Sequence, residues 1–141
     1  MKYSNLEDMH FHDSAITSVD YDGKVLIFDI PEMHFENALY NSRLKIQVDE
    51  CDFSIIYIKQ YPRFGVPRFK GKEISVERLK AILNKGNSLL ISEFLVSSDS
   101  EFVIFECEIF PYSSGGGVYR NVIIRIDVGY KDIELCKIEE T

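Results

Sequence analysis

The sequence predicts an α+β fold that is mainly β. It reads as an antiparallel sheet of about eight strands, curled, barrel-like or sandwiched, with one main helix near residues 75–85. Three observations predict this. Apolar and polar residues alternate along several short runs, the pattern of half-buried strands. Turn-like spacers of hairpin length separate those runs, which favours antiparallel pairing. Only one stretch, ISVERLKAILNKG, has helical spacing. The 10 Phe and 8 Tyr among 141 residues agree, since aromatic side chains pack well on a pleated surface. The length suits a single domain, 1–141, that buries its own core without a disulfide or metal staple.

Taken in order, AITSVDYDGKVLIFDI (15–30) reads as a hairpin. Its turn is Asp22-Gly23, a dipeptide that tolerates positive φ. Pro31, which offers no ladder N–H, is expected to end the second strand. PEMHFENALYN (31–41) reads as a loop with at most a helical turn. SRLKIQVDE (42–50) alternates strictly, with Leu44, Ile46 and Val48 on one face. DFSIIYIKQYP (52–62) follows as a separate strand with a more continuous apolar run. RFGVPRFKGKE, rich in Gly and Pro, reads as a loop.

The helix comes next. Ser75 can cap it, Ile74 and Leu79 are spaced for a hydrophobic staple, and Gly86 suits a left-handed stop. Leu79, Ile82 and Leu83, extended by Val76, form its buried stripe. SLLISEFLVS (88–97) and FVIFECEIF (102–110) then form a hairpin across Ser98–Glu101. YRNVIIRIDV (119–128) and YKDIELCKI (130–138) are two further strands around Gly129.

Charge narrows the function. Sixteen basic and 23 acidic residues leave a net charge of −7. Such a surface repels phosphate backbones, so general nucleic-acid binding is not expected. It suits solubility, or a basic protein partner. The N-terminus lacks a signal-peptide core, and no apolar run has membrane-spanning length. Cys51, Cys107 and Cys136 are odd in number and far apart, as reduced thiols of a cytoplasmic protein would be. Cys107 falls on the apolar face of its strand and reads as a buried structural thiol.

MHFHDSAI (9–16) is the main chemical candidate. On a strand, His10 and His12 project from one face, and Asp13 could orient an imidazole or act as a ligand. A zinc site needs three or four protein ligands, so His34 or a distant carboxylate would have to complete this one. The alternative is structural. Asp13 and Ser14 would bond nearby backbone N–H groups and shape the turn into the strand at Ala15.

The same residues carry a family resemblance. His12-Asp13-Ser14, Ile16 and the hairpin through Ile30 resemble a group of small bacterial β-rich proteins with an N-terminal His-Asp-Ser or His-Asp-Ala. Most of that group are uncharacterised, and some resemble immunity proteins of toxin systems. The resemblance implies a cytoplasmic binding protein and supplies no catalytic residues.

Three further stretches are candidates. YPRFGVPRFKGK (61–72) interleaves Tyr61, Phe64 and Phe69 with four cations and no acid, which reads first as a loop whose Phe64 and Phe69 tuck into the core while its charges stay solvated, and alternatively as a stacking and phosphate-contacting loop. Arg63 and Arg68, with planar forks suited to carboxylate or phosphate, are its expected contact residues. SSGGGVYRN (113–121) has three glycines but leads into a strand without Gly-Lys-Ser/Thr, so it reads as a hairpin tip rather than a phosphate loop. Glu106 and Glu108 lie opposite Cys107, Asp127 shares a face with Arg125, and Glu93 lies on the preceding strand. If these strands are neighbours, they form an acidic patch with one arginine, which suits either a solvated sheet face or the contact surface for a basic groove.

The expected function is therefore a small acidic binding protein, an immunity-type inhibitor of a basic toxin, with Glu106, Glu108, Asp127, Arg63 and Arg68 at the partner surface. A non-enzymatic role without cofactors is favoured. The alternatives are a metal-dependent enzyme built on His10, His12 and Asp13, and a β protein that holds a small ligand.

Overall fold

The computed structural model describes residues 2–3, 11, 14–35, 38–63, 66–97, 101–110 and 122–138. The elements are β1 (Lys2–Tyr3), β2 (Ala15–Ile16), β3 (Ser18–Tyr21), β4 (Val25–Phe35), β5 (Ala38–Arg63), β6 (Val66–Ile74), α1 (Val76–Leu83), β7 (Ser88–Val96), β8 (Phe102–Phe110) and β9 (Val122–Lys137). The fold class matches the sequence expectation: mostly antiparallel sheet with one helix.

All nine strands join one sheet. Its path runs β2-β7-β8-β9-β5-β4-β3, with β1 beside β9 and β6 beside β5. The path begins and ends on consecutive pieces of chain, because only Thr17 separates β2 from β3. Thr17 donates its N–H to the Asp29 carbonyl, and Ile91 donates to the Ser14 carbonyl. This segment thus leaves β7 and joins β4 end to end, without lateral pairing of β2 to β3, so the sheet curls but does not close.

Two long strands span the sheet. β5 pairs with β4 along its first part, with β6 along its last part, and with β9 along both. The sequence expectation split β5 and β9 into two strands each, and the structure corrects this. In β5 the polar run Asp49–Asp52 is a bulge, with ladder register shifts between Gln47 and Phe53 and Glu50 at φ 47. Such a bulge bends a strand without ending it. In β9 the matching point is Gly129, where an added Cβ would lie 2.6 Å from Asp52 Oδ2 and 3.2 Å from Asp52 Cβ. Glycine lets the strands cross there.

Prolines account for two more corrections. Within 31–41, residues 31–35 and 38–41 are the facing arms of β4 and β5 rather than a loop, and Pro31 does not end β4. It falls at the register irregularity between Ile30↔Ser42 and Met33↔Tyr40, where a missing N–H breaks no regular ladder bond. Likewise the described part of 63–73 is strand rather than loop, because β5 runs to Arg63 and β6 occupies 66–74. Pro62 sits directly opposite Pro67. Two opposed prolines fit a non-hydrogen-bonded pair, where each N–H would point away from the partner strand.

The core fills the inner face of the curl. Val103, Phe105, Cys107 and Ile109 of β8 face Val122, Ile124, Ile126 and Val128 of β9, all buried. Phe28 and Phe105 pack edge to face at 5.5 Å between ring centroids. α1 covers this core with Val76, Leu79, Ile82 and Leu83. Its cap is the expected one: Ser75 Oγ accepts from the Arg78 N–H at 3.1 Å. Gly86 has φ +82, and Asn87 donates its side-chain N–H to the Ile82 carbonyl. A Lys80–Asp20 ion pair of 3.0 Å ties the helix to β3. The Asp22-Gly23 turn also forms as expected: Gly23 has φ +98, and Asp22 Oδ1 accepts from Lys24 and Val25.

Candidate functional site

The outer face of β7, β8 and β9 gathers the carboxylates singled out by the sequence. Register places Glu93 opposite Glu106, and Glu106 opposite Arg125. Asp127 lies opposite Ile104, and Glu108 opposite Ile123 and Leu90. Partners directly opposite in an antiparallel pair share a face, so these side chains form one surface. Glu93 is brought into line by a register shift after Ile91.

Within that surface Asp127 is already engaged. Its Oδ1 accepts from Arg125 Nε at 2.7 Å, and this bond, with the nearby charges of Asp127 and Glu106, pushes the guanidinium above its ordinary value. Arg125 is thus shared between a hydrogen bond to Asp127 and the nearby charge of Glu106, and acids outnumber bases on this face, with Glu93, Glu106, Glu108 and Asp127 around one arginine. Around them lie exposed apolar side chains: Leu95 at 48%, Phe102 at 39% and Phe110 at 51%. Ile56, Ile104 and Ile123 are half-buried on the same face. The result is a carboxylate row within an apolar surround, a chemistry suited to protein contact.

A second group lies on the β5–β6 arm. Tyr57 faces Lys72 and Lys59 faces Lys70, one step further along the same strand face. The backbones of Arg63 and Arg68 continue this register, paired with Val66 and Tyr61. Their side chains lie outside the described residues. At the base of the arm Tyr57, Lys72, Glu73, Ile74, Ser75 and Arg78 line an open cleft of about 450 Å³.

Phe11 and Ser14 are the described members of the MHFHDSAI stretch. Phe11 is 1% exposed and meets Phe94 at 4.7 Å and Phe105 at 5.8 Å, both edge to face. Its carbonyl accepts from the Ser14 N–H at 2.9 Å, which tightens the chain just before β2. His10, His12 and Asp13 lie outside the described residues, as does the His34 side chain. Among the described residues no group of three His, Cys, Asp or Glu side chains is placed to hold a metal. The glycines at 115–117 are also outside them. No described helix is long and apolar enough to cross a membrane.

No known protein family, curated protein or solved structure matches the chain. Its function is therefore argued from its surfaces.

Cys107 is fully buried, and burial, with Glu106 nearby, pushes its thiol up to about 12. It is a core side chain, as its strand position suggested. Sequence reasoning missed two features. Phe11, between two histidines, has no periodic signal to mark it as core. The cleft draws on β5, β6 and α1 together, and its only linear trace was the run of cations before the helix.

Proposed function

We propose that this chain is a binding protein that covers a basic site on a protein partner, in the manner of an immunity-type inhibitor. The supporting observation is the outer face of β7–β9. There Glu93, Glu106 and Glu108 stand among Leu95, Phe102 and Phe110 on a regular, hydrogen-bonded sheet. A rigid sheet presents such groups without the ordering cost a loop would incur. The apolar side chains supply area to bury, and the carboxylates select and steer a cationic partner. The net charge of −7 acts in the same direction at longer range. The Arg125–Asp127 pair holds the centre of the face in one arrangement, and the face as a whole carries more acids than bases. The resemblance of His12-Asp13-Ser14 and the following hairpin to small bacterial β-rich proteins, some of which resemble immunity proteins, points to the same reading.

The test is affinity capture from a lysate of the source organism, expressing any adjacent toxin gene. Wild-type protein is compared with a Glu93→Lys/Glu106→Lys variant and with a Lys131→Gln control. The expected result is one stoichiometric basic protein, released by salt, held by wild type and control but not by the charge-reversed variant. Equal capture by all three would refute this face as the contact surface.

A further inference from the structure

We propose that the cleft between the β5–β6 arm and the start of α1 binds a small molecule that carries a phosphate group. The site lies on the opposite strand face from the acidic surface. Tyr57 and Lys72 share the inner-facing register with Ile55 and Ile74, whereas Ile56 and Glu73 share the outer one. The two surfaces are therefore independent.

Five observations support the site. The cleft, about 450 Å³, is within the size range of small-ligand pockets. Lys72 and Arg78 line it, and neither is ion-paired with a described carboxylate. On a chain with seven more acids than bases, two such cations in one concavity are a local reversal of sign. Lys59 and Lys70 stand one register step further along the same face, so positive charge continues out of the cleft. The wall includes the half-buried Tyr57 ring, an apolar platform beside the charges. Ser75 at the helix cap also lines the cleft, where the positive end of the α1 dipole adds to the same potential. Glu73 is the one carboxylate in the lining and enters it from the outer register, so the lining carries two cations and one acid.

Phosphate is the chemistry that uses these parts together. A dianionic group accepts from both an ammonium and a guanidinium, and the guanidinium fork suits two of its oxygens. A small ligand is favoured over a nucleic-acid strand by charge: a long polyanion would meet the acidic body on leaving the arm, whereas a small anion meets only the cleft.

The test is isothermal titration of the full chain with ATP, inorganic pyrophosphate, adenosine and a short thymidine oligonucleotide, at low and moderate salt. Wild type is compared with Lys72→Gln, Arg78→Gln and the distant control Lys131→Gln, each first checked for an unchanged unfolding midpoint. The expected result is saturable binding of ATP that weakens with salt, falls about tenfold in each cleft variant and is unchanged in the control. Pyrophosphate equal to ATP would assign recognition to the phosphates alone, and tighter ATP would add contact with the Tyr57 wall. Both support the site. No binding of ATP or pyrophosphate, binding indifferent to both cleft variants, adenosine as tight as ATP, or preference for the oligonucleotide would each overturn it.

Discussion

Replacing Phe11 by Ala tests the part played by the stretch between the two N-terminal histidines. Phe11 is 1% exposed, and its ring meets the edges or faces of Phe94 and Phe105. Phe→Ala at a buried site costs about 3–5 kcal/mol, from lost transfer energy and the cavity left behind. Each edge-to-face pair is worth about 0.5–1.5 kcal/mol beyond its area, and two are lost, so the upper part of that range is expected. Domains of this kind are stable by about 5–15 kcal/mol in total, so the variant should lose a large fraction of its stability. Urea unfolding followed by circular dichroism measures it, with Phe11→Leu as a control that keeps most of the volume. The Leu variant should lose about 1.5 kcal/mol or less. If Phe11→Ala unfolds within about 1 kcal/mol of wild type, the ring is not a core element and the packing argument fails.

Three other outcomes follow from the geometry. Gly129→Ala should destabilise by about 1–3 kcal/mol, because its Cβ would collide with Asp52; Asp52→Ala should restore part of the loss in a double-mutant cycle by urea titration. For Asp29, burial raises the carboxyl, but the Arg43 hydrogen bond and then the Ser18 hydrogen bond outweigh it and leave it below the ordinary 3.8. A carboxyl held low stabilises the fold above its unfolded value, and that stability is lost as pH falls from about 3.8 through the lowered value. Asp29→Asn should therefore flatten the acid limb of a stability–pH curve, and an unchanged limb would count against the pair. Cys107 has the opposite sign: with the buried thiol raised to about 12 from 9.0, the unfolded thiol ionises first, and stability falls as pH rises between those values. At mildly alkaline pH iodoacetamide should label Cys107 only as fast as the whole chain unfolds, and rapid labelling of folded protein would contradict its burial.

The sequence disclosed some elements completely and others only in part. FVIFECEIF alternates without interruption, and β8 buries the residues that alternation assigns, Val103, Phe105, Cys107 and Ile109. The helix declared both its ends, through Ser75 and Gly86. Strand limits were harder wherever a residue suggested a stop. Pro31, Pro62 and Pro67 imply breaks when read singly, but an irregular ladder position or an opposed proline pair removes their cost, and both depend on the partner strand. The polar residues around Cys51 read as a break between two strands, whereas a bulge needs only a few irregular residues to turn one continuous strand. The acidic face was visible as alternating glutamates, but its composition depended on pairing. Register sets Arg125 opposite Glu106, and only the side-chain geometry reveals that its hydrogen bond goes to Asp127 along the same strand. The cleft was least visible, because no local window contains Tyr57, Lys72 and Arg78.

The length of β5 bears on how the chain matures. Its neighbours β4 and β6 are adjacent in sequence, so a three-stranded meander can assemble while the rest of the polypeptide is still being made. Its remaining edge waits for β9, which follows β8 in the chain and must pair with β5 on one side and, through residues 123–129, with β8 on the other. Until then β5 and β8 each present a bare row of backbone donors and acceptors to solvent. Late docking of the central strand makes refolding slow and sensitive to protein concentration, and it makes truncation before β9 a route to aggregation rather than to a smaller soluble fold.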